Sequence, residues 1–349
     1  MIMWAARSGA SARKSSDIRG RDLRKLTQNG GNNVRYKRLG KTDMNVSVVT
    51  VGTWAIGGAG WGAVDRADSI KAIHAMVDNG VNFIDTAPIY GNGYAEEVVG
   101  EAISTLQRDK LYIATKFGLI WGENIIGSER DNSRKTVINE VEHSLRRLGT
   151  DYIDLYIVHW PDNKTPAEET MTALNELIQA GKIRNIGVSN YNEQQILDAE
   201  QFAKVGAIQP PYSMVNRGAE KLMQFCKDRD IGTMTYGSLG AGILTGAIRE
   251  QPNWDPRDTR LNFYPFFKEP QFSKIQQLLK VMDQIAEAHN RPVAQVAVNW
   301  STQNPVVDTA LMGVRNPREA DENCAATEWE LSAEEIETLN KAIAQYVDA

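Results

Sequence analysis

From residue 48 onward the chain repeats one two-part pattern: a short apolar run of strand length, then a longer stretch whose apolar residues recur at three- and four-residue steps. The runs fall near 48–52, 81–85, 111–116, 153–158, 183–188, 206–209, 231–236 and 306–312, eight in all. Between them lie helical periods such as Ile70, Ile73 and Val77, or Val137, Val141, Leu145 and Leu148. Gly80, Gly149 and Gly181 stand where such helices need a left-handed C-cap. Strand then helix, repeated eight times, predicts an α/β fold with one closed parallel (β/α)8 barrel, the TIM barrel, spanning residues 34–349. A doubly wound sheet fits less well, because Gly57-Gly58-Ala59-Gly60-Trp61-Gly62 follows a strand without opening a helix. Tyr36 to Thr42 and Val46 to Val48 read as an N-terminal β-hairpin capping the barrel's bottom, and long loops are expected at its C-terminal face.

A barrel of this size needs a large core, which 349 residues at 42% hydrophobic supply. No apolar stretch reaches the roughly 18 residues of a membrane span. A net charge of −5 without a basic stripe argues against nucleic acid as the main partner. The expected location is cytoplasmic. The first 33 residues differ, with seven Lys or Arg against two Asp, several Ser and Gly, and no apolar period. They read as a disordered leader or upstream extension, with an organelle transit peptide as the alternative. Cys226 and Cys324 are widely separated and lack a Cys-x-x-Cys or nearby His pair, so neither a disulfide frame nor a metal site is expected.

The chemistry-bearing residues gather at strand ends. Asp85-Thr86-Ala87-Pro88-Ile89-Tyr90-Gly91 follows the apolar Val81 to Ile84, placing a carboxylate at a strand's end and a phenol before the next helix. A phenol with an unperturbed pKa of about 10 is a poor acid near neutrality and needs a cation beside it. Lys116 closes another strand, and His159-Trp160-Pro161-Asp162 follows a third. If the strands are parallel neighbours, these groups share the barrel face where such folds carry chemistry. His159 is the one histidine of four at a strand's end; His74, His143 and His289 fall within helix patterns. Ser189-Asn190 also suits a helix N-cap, and Tyr236 also suits barrel packing.

In order along the chain, these motifs resemble the aldo-keto reductases, the NAD(P)H-dependent barrel family. The resemblance runs from about Val34 to the C-terminus. It is carried by Asp85 to Gly91 with Glu96 and Gly100, then Lys116, Tyr156 to Trp160, Gly187 to Asn190, Gln209, Tyr236 to Leu239, Gly313 to Pro317, and Glu322-Asn323. Gly52 to Gly58 and Tyr236 to Leu239 are most similar to the bacterial general-stress and inositol-associated members. The resemblance implies a catalytic set of Asp85, Tyr90, Lys116 and His159. Tyr90 donates the proton while hydride reaches a carbonyl carbon; Lys116 lowers its pKa, Asp85 holds the ammonium, and His159 orients the carbonyl. It further implies Thr53 and Trp54 beside the cofactor, and Ser189, Asn190 and Gln209 on its carboxamide. Tyr236 stacks on the nicotinamide. Gly237, Ser238, Leu239, Gly240 and Gly242 border the pyrophosphate, and Gly313, Arg315, Glu319, Glu322 and Asn323 the adenosine half.

Two departures bear on the cofactor. Ala241 stands where relatives often carry Arg, and Glu319 where many carry Gln. Arg315, with Asn316 and Arg318, suits a 2′-phosphate and directs the expectation to NADPH, whereas Glu319 favours the ribose hydroxyls of NADH. Trp54, Tyr90, Trp121 and His159 are the expected substrate contacts, and the stretch from Ala247 to Pro270, with Trp254, Arg257, Arg260, Phe263 and Tyr264, suits a cover over the site. The expected partner is a small carbonyl compound or sugar. A nucleotide-binding, redox-sensing regulatory subunit with little turnover is the alternative.

Overall fold

Parallel strands buried on both faces read as nearly unbroken apolar runs, because helices cover the outside and side chains fill the inside. The computed structural model describes residues 34–58, 64–122, 127–254 and 258–348. The expected leader, 1–33, lies outside the described residues, as do Trp61 and Arg257. Strands β1 (Tyr36–Arg38) and β2 (Asn45–Ser47) form an antiparallel hairpin with Tyr36 opposite Ser47. There follow β3 (Val49–Gly52), α1 (Arg66–Asp78), β4 (Phe83–Asp85), α2 (Tyr94–Ile103) and β5 (Tyr112–Phe117). A two-stranded arm, β6 (Leu119–Ile120) with β7 (Glu129–Arg130), precedes α3 (Arg134–Leu148), β8 (Ile153–Val158) and α4 (Ala167–Gln179). The chain continues through β9 (Ile183–Ser189), α5 (Glu193–Glu200), β10 (Val205–Gln209), α6 (Glu220–Lys227) and β11 (Gly232–Thr235). Helices α7 (Thr259–Phe263), α8 (Gln271–Ala288) and α9 (Val293–Gln303) lead to β12 (Thr309–Gly313), α10 (Pro317–Ala325) and α11 (Ala333–Tyr346).

The eight parallel strands close in the order β3-β4-β5-β8-β9-β10-β11-β12, and β12 returns to β3 with Leu311 opposite Thr50. This is the expected (β/α)8 barrel. Gly80, Gly149 and Gly181 all take left-handed φ, 93°, 62° and 73°, as their places after α1, α3 and α4 require. The last strand starts at Thr309 rather than Val306. Val306 and Val307 pack under α8, α9 and α11 instead of joining the ladder, so an apolar pair was read as strand. The connection from Ala247 to Pro270, expected as a cover over the site, holds α7 and a 3-10 turn over Pro265–Phe267.

The barrel interior is closed from below by the hairpin. Leu39, Met44 and Val46 are at most 1% exposed and pack with Phe83, Leu155, Ile157, Ala207 and Met234 inside the strands. Lys37 ties the hairpin to the far end of the chain by donating to the carbonyls of Thr302 and Val307 at 2.9 and 2.7 Å. Cys226 and Cys324 are buried and unpaired, and burial pushes each thiol up to about 12. Among the described residues no helix is long and apolar enough to cross a membrane. Because Leu39 fills the barrel floor, Leu39→Ala is expected to destabilise the fold by about 2–5 kcal/mol, measured as a shift in the urea midpoint at unchanged m.

Candidate active site

Asp85 ends β4, Lys116 is the penultimate residue of β5, and His159 directly follows β8, so neighbouring strands deliver the three groups to one end of the barrel. Tyr90 lies in the turn between β4 and α2. Its position is fixed by an approach without side chains: a Cβ on Gly57 would meet the carbonyl carbon of Tyr90 at 2.7 Å, and one on Gly91 would meet the oxygen of Gly57 at 2.6 Å. Only two glycines let the 3-10 turn Trp54–Gly57 press this closely on the tyrosine. Lys116 Nζ donates to Asp85 Oδ2 at 2.7 Å, to the carbonyl of Thr86 at 2.9 Å and to the hydroxyl of Tyr90 at 3.2 Å. The His159 ring stands edge-on to Tyr90, with centroids 6.0 Å apart.

Lys116 and Asp85 are 0% and 1% exposed, so their charges face little water. Burial disfavours the ammonium, but Asp85 and Tyr90 together overcome it and hold the pKa of Lys116 above the usual lysine range. Burial also raises the phenol of Tyr90, and Lys116 pulls it back only in part. Lys116 thus acts in the expected direction, while the net shift is upward, contrary to the expectation of a lowered value. A phenol kept protonated at neutral pH is a donor that is loaded. Burial first, then the charge of Lys116, drives His159 well below the usual histidine range, so its imidazole is neutral.

The residues expected around a nicotinamide join this group through one run of hydrogen bonds. The hydroxyl of Tyr236 donates to Asn190 Oδ1 at 3.1 Å, and Asn190 Nδ2 donates to Ser189 Oγ at 3.0 Å. Ser189 Oγ donates to the carbonyl of Gln209 at 2.8 Å, and Gln209 Nε2 to Asp85 Oδ1 at 2.8 Å. Gln209 therefore spends its amide nitrogen on Asp85, leaving its amide oxygen as the atom that can face a carboxamide. The N-cap of α5 is Asn192, within a capping box with Gln195, so Ser189 and Asn190 do not serve that end. Thr53 turns its hydroxyl to the carbonyl of Asp85 at 3.0 Å and locks β3 to β4.

The turn beyond β11 has a backbone shape that could cradle an anion. Gly237 takes φ 72° with open space where a Cβ would stand, and Gly240, Ala241 and Gly242 are left-handed in succession at 57°, 56° and 95°. Such turns aim backbone N–H groups into one concavity. The buried hydroxyl of Ser238, 2% exposed, has no partner among the described residues. At the adenosine end Arg315 is half-exposed and paired: its backbone N–H and its Nη2 both donate to the carboxylate of Glu319, at 2.9 and 2.7 Å. Asn316 caps α10 by accepting from the Glu319 N–H, and Arg318 pairs with Glu322 at 3.0 Å. Asn323 Nδ2 donates to the carbonyl of Gly313 at 3.2 Å.

Aromatic rings border the catalytic groups. Trp54 stacks on Tyr90 at 6.2 Å, and Phe263 of α7 meets Trp54 edge-on at 6.2 Å. Tyr264 lies near enough to Tyr236 and Tyr90 that, after burial, their charges add to the rise of its pKa. Phe263 and Tyr264 were legible only as part of a covering stretch. Trp254 packs on Phe267 at 5.0 Å, with Arg260 over its ring at 3.6 Å, and so braces the loop. Trp121 is half-buried just past β6, whereas among the described residues Trp54 and His159 are the rings on Tyr90.

The closed parallel barrel is the fold of the Aldo/keto reductase family, and here it holds Asp85 and Lys116 buried and Tyr90 half-buried at one end. Residues 48–344 match that family, and the chain belongs to it. It is 40% identical to aldo-keto reductase YhdN of Bacillus subtilis over 310 residues, covering 88% of this chain and 93% of that one. It is 34% identical to the NADH-specific methylglyoxal reductase of Escherichia coli, covering 89% and 98%. The solved structure of the glycerol dehydrogenase AKR11B4 from Gluconobacter oxydans superposes with a TM-score of 0.83 at 36% identity, covering 90% and 96%.

Behind β5 a second acidic group was not singled out from the sequence. Half-buried Glu140 of α3 accepts from the Gly118 N–H at 2.6 Å and faces Glu96, Arg147 and Asp131. Burial, with Glu96 and Asp131 adding and Gly118 and Arg147 opposing, pushes its carboxyl from 4.5 up to about 7. The folded chain binds this proton more tightly than the unfolded chain. Its stabilising contribution is therefore full below the unfolded value and is lost as pH rises through about 7. Glu140→Gln is expected to flatten that loss, gaining on the order of 1–2 kcal/mol over wild type at pH 8 relative to pH 5 in paired chemical denaturations, after allowance for solvent screening.

Proposed function

We propose that this chain reduces small aldehydes and ketones with NAD(P)H, and oxidises the matching alcohols in reverse, with Tyr90 as proton donor. The observation that carries this reading is the contact of the Tyr90 hydroxyl with Lys116, itself held by Asp85, at the barrel mouth. The reduced nicotinamide, when bound, supplies the hydride. Ser189, Asn190 and Gln209 would hold its carboxamide, with the ring of Tyr236 alongside. The turn from Gly237 through Ser238, Leu239 and Gly240 to Gly242 would take the pyrophosphate, and Gly313, Arg315, Glu319, Glu322 and Asn323 would border the adenosine.

Each catalytic residue then has one task. Neutral Tyr90 gives its proton to the carbonyl oxygen as negative charge gathers there. Charged Lys116 stabilises the phenolate that remains, and Asp85 keeps Lys116 in place. Neutral His159 donates a ring N–H that orients the carbonyl. Trp54 and Phe263 form an aromatic wall over the reacting carbon. Relatives named for methylglyoxal and glycerol direct the substrate search to three-carbon aldehydes and polyols.

The pairing of Arg315 with Glu319 weakens the case for NADPH that Arg315 alone would make. A 2′-phosphate must displace a carboxylate from the guanidinium, whereas ribose hydroxyls can accept or donate beside it. NADH therefore suits this end at least as well as NADPH.

Tyr90→Phe is expected to leave nucleotide binding nearly intact and to cut carbonyl reduction by at least about a hundredfold, followed by absorbance loss of the reduced nucleotide. Retained turnover would remove Tyr90 from the role, and nucleotide binding without turnover in the wild type would favour the regulatory-subunit reading. Glu319→Gln is expected to raise the NADPH-to-NADH ratio of kcat/KM by about tenfold or more, the scale of one freed charge-assisted bond. An unchanged ratio would show that Arg315 does not read the 2′ position.

A further inference from the structure

The distance between Tyr90 and Lys116 is a distance between two elements, since one side chain comes from the turn entering α2 and the other from β5. Successive side chains of a strand point to opposite faces, so Thr115 points outward, to the helices, where Lys116 points inward. The Thr115 hydroxyl donates to Oε1 of Glu96 at 2.6 Å. Glu96 sits in the first turn of α2, 0% exposed, and its Oε2 accepts from Nε of Arg147 on α3 at 2.6 Å. Just beyond Lys116, the Gly118 N–H donates to Glu140, also on α3, at 2.6 Å. Two acidic side chains thus hold the chain on both sides of the lysine, and the charge of Arg147 reaches both of them.

The approach of Arg147 is built into the backbone. A Cβ on Gly93 would meet Arg147 Cδ at 2.8 Å, and one on Gly100 would meet the Arg147 carbonyl oxygen at 2.4 Å. The sequence singled out Glu96 and Gly100 beside the catalytic residues, and the four active-site groups give neither of them a task.

We infer that Glu96, bonded to Thr115 and Arg147, is a positioning residue that fixes the separation of Tyr90 and Lys116, with Glu140 holding the same strand on the far side. A well-packed apolar residue would join α2 to β5 with less desolvation than a buried carboxylate. What the carboxylate adds is direction, because one short bond ties the helix that follows Tyr90 to the strand that bears Lys116, and a second, to Arg147, anchors that helix on α3. The inference rests on the assignment of Tyr90 as proton donor. A misplacement of about 1 Å at such a site can lower rate by about a hundredfold, so a brace is worth its burial.

The test compares Thr115→Val, which keeps the shape and removes the hydroxyl, with Thr115→Ser, which keeps the hydroxyl. Methylglyoxal reduction is followed against pH at saturating nucleotide, and nucleotide affinity by fluorescence titration. The ionisation of Tyr90 is read without turnover, as the ultraviolet difference between each protein and its Tyr90→Phe counterpart. Thr115→Val is expected to lose about tenfold or more in kcat, to keep nucleotide affinity within about twofold, and to titrate Tyr90 at least about half a pH unit higher, as a weakened contact with Lys116 requires. Thr115→Ser is expected to restore both. A folded Thr115→Val with wild-type rate and titration overturns the brace, and so does a loss of rate with the Tyr90 titration unmoved. If Thr115→Val does not fold, Arg147→Lys and Glu140→Gln are judged by the same two readouts. Turnover retained by Tyr90→Phe defeats the donor assignment and the brace together; an inactive Tyr90→Phe beside an unaltered Thr115→Val defeats the brace alone.

Discussion

The buried pair of Lys116 and Asp85 is the constraint around which the rest of this molecule is arranged. Removing two opposite charges from water is costly, and their mutual attraction offsets that only when the remaining donors and acceptors are also satisfied. Here Asp85 takes a second bond from Gln209, while Lys116 reaches Thr86 and Tyr90 as well. These partners come from the end of β10 and from the turn that follows β4. The pair is therefore stable only where several strand ends converge, and a closed barrel provides that convergence. The same closure explains why the chain tolerates an unusual concentration of polar groups at its mouth: Asp85, Thr86, Lys116, Ser189, Gln209 and Ser238 are all at most 3% exposed.

The aromatic and glycine-rich parts of the mouth follow from this arrangement. A phenol that must touch a buried ammonium has to be held from the side, and the contact of Gly57 with Gly91 supplies the hold without side chains. Trp54 then lies over the ring it helps to place, and Phe263 closes on Trp54 from a loop that belongs to β11. The groups proposed to handle the proton come from the first half of the barrel, and most of those proposed for a nucleotide from the second. Gln209 is where the halves meet, with its backbone on Ser189 and its side chain on Asp85.

What was readable in the sequence was whatever repeats or lies close in the chain. The strand-helix period gave all eight barrel strands, because parallel strands leave unbroken apolar runs, and strand-end positions picked out Asp85, Lys116 and His159. The start of β12 was missed because Val306 and Val307 are apolar for a different reason, packing beneath helices. The pairing of Arg315 with Glu319 needed only their four-residue spacing, a signal present in the sequence but outweighed by the attraction of an arginine near a phosphate. The net rise in the pKa of Tyr90 was not readable at all, since burial is a property of the assembled barrel. Likewise Glu140 is an ordinary helix residue until α3 docks it against Gly118.

The closure of β12 onto β3 has a consequence for how the chain is made. Val49 and Ala310 are paired neighbours in the finished barrel, yet nearly the whole domain separates them along the chain. During synthesis β3 therefore carries an unpaired edge of apolar residues until almost the last strand leaves the ribosome. Unpaired edges of that kind recruit other chains. The hairpin below it is in the same position, since Lys37 finds its carbonyl partners only in residues 302 and 307. The nascent barrel is an open, twisted sheet whose β3 margin stays exposed for most of its birth, and its yield in a cell depends on how well that margin is sheltered until the ring closes.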